Sequence, residues 1–509
     1  MTAVAAKNLA RLNEEAFERR GDYESLFFED RWHGSGELLE RSRRLGGGLI
    51  ELGIAPGERV VVCMANCPEV TVAYQGLWRA GAVVTPAMFL LSTEDLRHVI
   101  AHSEAAAVIT TPEFLDKVRD AVAPLEHVRQ VISAGDVAAG AGDGVLALGT
   151  LEESDPAPVV PRADDDLAVL LYTGGTTGRA KGVMISHASL HFTGQAVQEA
   201  AHVDGVTRAL MPLPLAHAYG ILITISGLHA PERPVTVLLR WFDAGTFLAM
   251  VQEHRVQTAP LVPAMIQLLL AQPLEEFDLT SLRFLGSGAS PLAPEVVEAL
   301  RRRAPWISIR QGYGLSETAA LVSINPAGRE KPGSVGVPIP GAEVRILDDF
   351  DNELPRGEPG EVCVRSPAVM QGYWRAPQTT ADTIRDGWLH TGDIGYLDDE
   401  GYLFIVDRKK DVIIRGGFNV YPRDVEDALL EHPAVDGAGV VGRPDDRRGE
   451  EVVAFVSLTA PGAISEEELI EWARRRIGGY KYPREVHIID AMPLTAVGKL
   501  DRKALRRLL

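Results

Sequence analysis

The sequence predicts an α/β protein: a large N-terminal domain of doubly wound sheets with a small β-barrel-like subdomain, followed by a small α+β C-terminal domain. Three observations carry this. Apolar strand-like runs alternate with helical stretches through the first two-thirds of the chain, the rhythm of βαβ units and a mostly parallel sheet. From Gly333 to Asp407 the texture changes to short strands separated by Gly, Pro and Asp turns. Beyond the polar break Asp407-Arg-Lys-Lys-Asp411, roughly 100 residues have the makings of one further compact unit. At 509 residues the chain exceeds a single core.

Taken in order, Arg59–Met64 reads as a buried strand, Pro68–Ala80 as a helix with Pro68 in its first turn, and Gly81–Pro86 as the next strand. The rhythm resumes from Leu167 to about Asn325. The organisation expected is an N-terminal domain over residues 1–407, with α/β subdomains at about 1–165 and 166–330 and a β subdomain at 331–407. A hinge at 408–411 and a C-terminal domain at 412–509 complete it. Strands of the β subdomain are placed at Glu343–Leu347, Glu361–Val364 and Tyr402–Val406. In the last segment, Pro422–Leu430 is a helix with Val425 and Leu429 inward. Ser465-Glu-Glu-Glu468 is a capping box that starts a second helix, with Leu469, Trp472, Ala473 and Ile477 as its inner stripe. Gly437-Ala-Gly-Val-Val-Gly442 matches a dinucleotide fingerprint but follows a helix and leads into a charged loop, so it is read as an ordinary strand.

Composition narrows the function classes. Hydrophobic residues at 46% and charged residues at 24% are those of a soluble globular protein. A formal charge of −19 argues against nucleic acid and anionic membrane as partners. The basic runs Arg301–Arg303 and Arg474–Arg476 read as solvated helix faces. Cys63, Cys67 and Cys363 cannot all pair and form no CxxC, which fits a reducing compartment and argues against a zinc site. Met1–Leu12 lacks the apolar stretch of a signal peptide, and the greasiest window, Leu210–Leu228, is broken by Pro212, Pro214, His217 and Gly220. A cytoplasmic protein with no membrane span is expected.

The strongest chemical signal is Tyr172-Thr-Gly-Gly-Thr-Thr-Gly-Arg-Ala-Lys181-Gly182, directly after the apolar run Leu167–Leu171. Glycines let backbone N–H groups approach an anion, while Thr173, Thr176, Thr177 and Lys181 add donors, the makings of a phosphate cradle. It is no Walker A loop, because Ala180 precedes the lysine and Gly182 follows it. Four more clusters follow. Gln311-Gly-Tyr-Gly-Leu-Ser-Glu317-Thr318 sets an aromatic ring, a hydroxyl and a carboxylate on a Gly-rich segment. Trp388-Leu-His-Thr-Gly-Asp393 puts an acid in a Gly turn, Asp407–Asp411 is the linker, and Pro493-Leu-Thr-Ala-Val-Gly-Lys499-Leu-Asp-Arg502 exposes a lysine on a glycine-hinged loop. Each alone has an ordinary explanation: Tyr313 in a core, Glu317 at a helix start, Asp393 in a turn, Lys499 on a surface.

In this order and spacing, and together with Asn66-Cys-Pro-Glu69 and Ala80-Gly-Ala-Val-Val-Thr-Pro86, these motifs resemble the adenylate-forming superfamily of acyl- and aryl-CoA ligases, adenylation domains and luciferases. The resemblance covers essentially the whole chain. It implies that a carboxylate attacks the ATP α-phosphorus to give acyl-AMP and pyrophosphate, and that a thiol then displaces AMP. Positioning and charge neutralisation would carry most of that catalysis. By the resemblance, Thr173, Gly174, Gly175, Thr176, Thr177 and Lys181 hold the β/γ-phosphates, Glu317 ligates Mg²⁺ with Thr176 nearby, and Ser316 touches the α-phosphate. Gly288-Ala289-Ser290 and Gln311-Gly312-Tyr313, with Gly314, wall the adenine, Tyr313 stacking on it. Asp393 accepts from the ribose diol with Arg408 assisting, and Lys499 bridges carboxylate and α-phosphate. A mobile C-terminal domain is implied, with Lys410 at the hinge and the strand Arg415-Gly416-Gly417-Phe418 against the pantetheine arm of coenzyme A.

The acyl pocket is expected at His217, Tyr219, Ile221, Val262, Gly288, Gly314 and Leu315. Amino-acid-activating members carry Asp at the position of Ala218, and acetate-sized members carry Trp at that of Gly314, so a larger hydrophobic acid follows: fatty, aromatic or terpenoid. The departures from the pattern, Gly174, Ala180 and Ser316, remove no chemistry. The function expected is ATP-dependent acyl-CoA formation by a monomer or homodimer. The alternatives are loading of a carrier-protein phosphopantetheine in trans, a luciferase-type oxygenase, and an inactive nucleotide-binding protein. Lys499→Ala is expected to abolish adenylation, by ~10²–10³ or more in rate, while thioester formation from supplied acyl-AMP stays largely intact. Half-reaction kinetics check this, and equal loss of both refutes the division of labour.

Overall fold

The computed structural model describes residues 7–135, 144–173, 179–445, 447–494 and 500–509. The chain divides into two compact units: Met1–Glu343 with Val364–Leu389, and Val344–Cys363 with His390–Leu509.

Two sheets build the first unit. In one, Leu167–Thr173, Val83–Pro86, Arg59–Cys63, Ala107–Thr110, Gln130–Ser133 and Val145–Ala147 lie side by side in parallel, and Lys181–Ser186 and Gly372–Tyr373 extend it antiparallel at one edge. In the other, Ser308–Tyr313, Phe284–Ser287, Thr258–Leu261, Arg208–Met211, Val235–Leu238 and Glu24–Phe28 run parallel. Their strands are β-branched, Leu- and Ala-rich runs, as sheets covered on both faces require. The expected strand–helix–strand run from Arg59 to Pro86 is present as Arg59–Cys63, Pro68–Arg79 and Val83–Pro86. The strands do not sort at residue 165, however. Leu167–Ser186 joins the sheet of the earlier strands, and the N-terminal hairpin Glu24–Gly34 joins that of the later ones.

The largest core lies among these sheets and their helices. Leu45, Leu49, Tyr74, Trp78, Val84, Met211, Ile221 and Ile225 are buried in it together. Its polar members are satisfied: Trp78 Nε1 donates to the Ala168 carbonyl at 3.0 Å and Tyr74 Oη to that of Leu215 at 3.3 Å. Asn66 explains the early motif. Its side-chain amide donates to the carbonyls of Leu213 (2.8 Å) and Leu239 (3.0 Å) and accepts from Leu215 N (2.8 Å), tying the exits of two neighbouring strands.

In the second unit, Phe418–Val420, Ile413–Arg415, Gly449–Leu458 and Val435–Asp445 form a sheet in that order, with Glu485–Ile488 parallel to Gly449–Leu458. Gly437–Gly442 is thus strand, as expected. Helices Pro422–Leu430 and Glu466–Arg476 bury Val425, Leu429, Leu469 and Ala473 against it. The capping box is complete: Glu468 N donates to Ser465 Oγ at 3.2 Å and Ser465 N to Glu468 Oε2 at 3.0 Å. The same unit holds most of an antiparallel sheet in which Gly360–Arg365 adjoins Trp388–Leu397, which pairs in turn with Leu403–Arg408. The polar break is structured rather than loose. The strand runs through Arg408, Lys409–Asp411 form one 3₁₀ turn, Asp407 is buried and accepts from Arg423 N at 2.9 Å, and Asp411 pairs with Arg506 at 2.8 Å. All three cysteines are buried and none is in a disulfide. No helix among the described residues is long and apolar enough to cross a membrane.

The buried pair Glu426–Arg502 is the electrostatic tie of the second unit: Nη2 lies 2.6 and 2.7 Å from the two carboxylate oxygens, and Val440 N donates to Oε1 at 2.8 Å. Burial pushes the Glu426 carboxyl up to about 7, against the pull of Arg502. Folding raises this group's value, so the cost of its charge is absent below the ordinary carboxylate range and felt fully above about 7. Arg502→Ala removes the compensating cation and is expected to destabilise this unit by about 3–5 kcal/mol at pH 8.5 and by markedly less at pH 5. Urea unfolding at the two pH values checks both sign and size.

Candidate active site

The parallel strands of the second sheet all end at the same edge of that sheet, so the segments that follow them are neighbours. Arg208–Met211 leads to His217 and Tyr219, Thr258–Leu261 to Val262, Phe284–Ser287 to Gly288-Ala289-Ser290, and Ser308–Tyr313 to Gly314, Leu315 and Ser316. His217 caps helix Ala218–His229, its Nδ1 accepting from Tyr219 N at 3.3 Å. The Tyr219 ring lies along Gly286 of strand Phe284–Ser287 and Gly288 just past its end. A Cβ on Gly286 would sit 3.0 Å from its hydroxyl, and one on Gly288 3.6 Å from its ring. Desolvation holds the Tyr219 phenol above its ordinary range. Val262 caps helix Pro263–Leu270, while Ile221 is packed in the main core. Gln311 lies beside Ser287 in register, and Gly312 and Tyr313 pair with Ile324 and Ser323.

Past Tyr313 the chain turns tightly. A Cβ on Gly314 would overlap the Ala320 carbonyl oxygen, so no side chain fits there. Ala319 and Ala320 take left-handed φ of 47° and 85°, and Leu315 N donates to Thr318 Oγ1 at 3.1 Å, closing the 3₁₀ turn Ser316–Thr318. That turn presents Glu317. Its Oε1 accepts from the Tyr373 hydroxyl at 2.8 Å, and the Lys181 ammonium lies 5.1 Å from the Tyr373 ring centre. Burial, then the Glu317 charge, raises the Tyr373 phenol, which therefore stays protonated as a donor.

The Gly/Thr loop joins two strands rather than a strand and a helix, with Thr173 opposite Lys181 at its base. Helix Thr93–Ser103 grips that base: His98 Nε2 donates to the Ala180 carbonyl at 3.0 Å and His102 Nδ1 meets the Tyr172 hydroxyl at 2.8 Å. Gly174, Gly175, Thr176, Thr177 and Lys499 lie outside the described residues. Tyr373, His98 and His102 were not legible as site residues. Gln371-Gly-Tyr-Trp374 carries no recognisable chemistry until its strand is seen to pair with Lys181–Ser186.

In the second unit Asp393 and Arg408 face each other across paired strands, Arg408 Nε 3.4 Å from Asp393 Oδ1, with Asp393 buried and Arg408 half-exposed. Lys410 lies in the 3₁₀ turn, where burial and then the charge of Arg408 push its ammonium value down. Gly416 and Gly417 correct the strand expected over Arg415–Phe418. Arg415 pairs with Phe418, so the two glycines are the central residues of a tight hairpin, at φ 60° and 83°. Both need the left-handed conformation that a primed turn demands, which glycine adopts without strain.

The chain belongs to the AMP-binding enzyme family: that family's model matches residues 13–374, and the model of the AMP-binding enzyme C-terminal domain matches 424–499. It is an AMP-forming acid–thiol ligase of the adenylate-forming superfamily, acyl-/aryl-CoA ligase type, with ATP and CoA as substrates. It is 37% identical to a feruloyl-CoA synthase of Amycolatopsis sp over 475 residues, 92% of this chain and 93% of the relative. A long-chain-fatty-acid–CoA ligase of Escherichia coli O6:H1 is 34% identical over 515 residues, 92% and 89% of the two chains. Among solved structures, the anthranilate CoA ligase AuaEII in complex with anthranoyl-AMP superposes with a TM-score of 0.89 at 26% identity, over 99% of this chain and 98% of that one.

Loss of one hydrogen bond to a charged group is worth roughly tenfold or more in an equilibrium constant. Tyr373→Phe leaves the Glu317 carboxylate without this donor and is therefore expected to lower kcat/KM for acid-dependent pyrophosphate release by about tenfold, with the melting temperature little changed.

Proposed function

We propose that the acid this enzyme activates is an aromatic carboxylic acid, converted by ATP to its acyl-AMP and then to its CoA thioester. The observation that carries this is the half-buried Tyr219 ring, set along glycines 286 and 288 at the strand edge where Gly288–Ser290 and Gln311–Tyr313 emerge. An apolar wall of this shape suits a flat ring, and Ala218 offers no carboxylate for a substrate ammonium. The names of the feruloyl-CoA synthase and the anthranilate CoA ligase agree with it.

In this reading Gly288–Ser290 and Gln311–Gly314 enclose the adenine and Ser316 meets the α-phosphate. Thr173, Lys181 and the intervening Gly174–Thr177 receive the β- and γ-phosphates. Asp393 and Arg408 take the ribose, and Lys499 neutralises the attacking carboxylate. Glu317 fits a Mg²⁺ ion, since it offers hard carboxylate oxygen beside the triphosphate, and the ion would neutralise phosphate charge there with Thr176 alongside. Lys410 is the hinge, and the hairpin at Gly416 and Gly417 meets the pantetheine arm.

Pyrophosphate release across a panel of benzoates, arylpropenoates, fatty acids and terpenoid acids, with CoA, with holo-carrier protein and with neither, tests this. The expected result is the highest kcat/KM for an aromatic acid, with sustained turnover only with CoA. A fatty or terpenoid acid preferred tenfold over every aromatic one overturns the substrate class. Turnover with the carrier but not CoA overturns the acceptor.

A further inference from the structure

Asp393, expected in a Gly turn, lies instead within strand Trp388–Leu397, and the segment just before it is held from behind by one buried carboxylate. Glu361, on strand Gly360–Arg365, is 6% exposed. Its Oε1 accepts from Gly392 N at 3.1 Å, and its Oε2 from His390 Nδ1 at 3.3 Å and Lys409 Nζ at 3.1 Å. Gly392 takes φ 71°, a left-handed bend within the strand directly before Asp393. Alongside, the Thr391 hydroxyl donates to the Val362 carbonyl at 2.7 Å and accepts from Asp393 N at 3.1 Å. Lys409 directly follows Arg408, the partner of Asp393, and its ammonium also meets Asp349 at 2.9 Å. A single side chain thus grips the segment before Asp393 and the segment after Arg408.

The charges are consistent with an ion-paired clamp. Burial alone would raise the Glu361 carboxyl, yet Lys409 and then His390 hold it below the ordinary carboxylate range. Glu361, Cys363 and His390 also bring three ligand-type atoms within 4.8 Å of one another. The Lys409 ammonium already supplies positive charge to that carboxylate, so the cluster is a closed polar network.

We propose that Glu361 is a positioning residue for nucleotide recognition: through Gly392 and Lys409 it sets Asp393 and Arg408 in the arrangement that reads the ribose diol. This rests on the reading of Asp393 as the ribose acceptor. Glu361 touches no substrate, and its effect is on the angle and spacing of two groups that do. A buried carboxylate with three donors holds geometry better than a neutral amide, whose NH₂ group would face the Lys409 or His390 donors.

The test compares ATP with 2′-deoxy-ATP and 3′-deoxy-ATP in acid-dependent pyrophosphate release by the full-length enzyme, with thermal melting as the check on folding. Asp393→Asn is expected to collapse the preference for ATP. Glu361→Gln is expected to raise the KM for ATP and cut that preference about tenfold, with kcat changed much less. Lys409→Met, on a half-exposed side chain that can be replaced without opening a core, is expected to cut the preference about threefold. A folded Glu361→Gln enzyme with undiminished preference overturns the proposal. If Glu361→Gln does not fold, undiminished preference in Lys409→Met overturns it. Undiminished preference in Asp393→Asn instead sinks the ribose reading on which it stands.

Discussion

Parallel pairing of Arg208–Met211, Thr258–Leu261, Phe284–Ser287 and Ser308–Tyr313 obliges the chain to return by a helix after each strand and to leave every strand at the same edge. The residues after each strand therefore crowd together however far apart they stand in sequence. His217, Val262, Gly288 and Gly314 become neighbours for this reason alone. The chemistry at that edge is then shaped by what the backbone allows. Gly314 has no room for a side chain, and the left-handed pair Ala319–Ala320 turns Glu317 back toward the first sheet.

The first sheet contributes through its irregular edge. Its parallel strands are covered, whereas the antiparallel hairpin Leu167–Ser186 and the short strand Gly372–Tyr373 form the margin that carries the Gly/Thr motif and Tyr373. Tyr373 is the joint between sheets, its hydroxyl on Glu317 and its ring under Lys181. A protonated phenol suits that place. It donates to the carboxylate without adding charge, and its face attracts the ammonium.

Buried charge is handled differently in the second unit. Glu426 with Arg502, Asp411 with Arg506 and Glu361 with Lys409 each set a carboxylate against a cation, and each lies beside the chain segment that connects Asp393 to Lys410. Isolated charges in such surroundings would shift or neutralise, and paired ones impose direction. Asn66 does comparable work in the first unit with a neutral amide, binding two strand exits through three hydrogen bonds.

Read alone, the sequence determined the fold class, the family and the helix starts at Pro68, Pro422 and Ser465, since periodicity, caps and Gly-rich motifs are local properties of the chain. It also separated Gly437–Gly442 from a true dinucleotide fingerprint by what flanks it. Tertiary structure decided which strands share a sheet, moving Glu24–Gly34 and Leu167–Ser186 across the expected subdomain boundary. It also decided that Gly416 and Gly417 make a turn, and that Tyr373, His98, His102 and Glu361 stand behind the motif residues. Those four are ordinary residues in sequence. Their roles come from partners 56 residues away for Tyr373, 82 and 70 for the two histidines, and 48 for Glu361 and Lys409. No local pattern encodes a contact that only the pairing of distant strands creates.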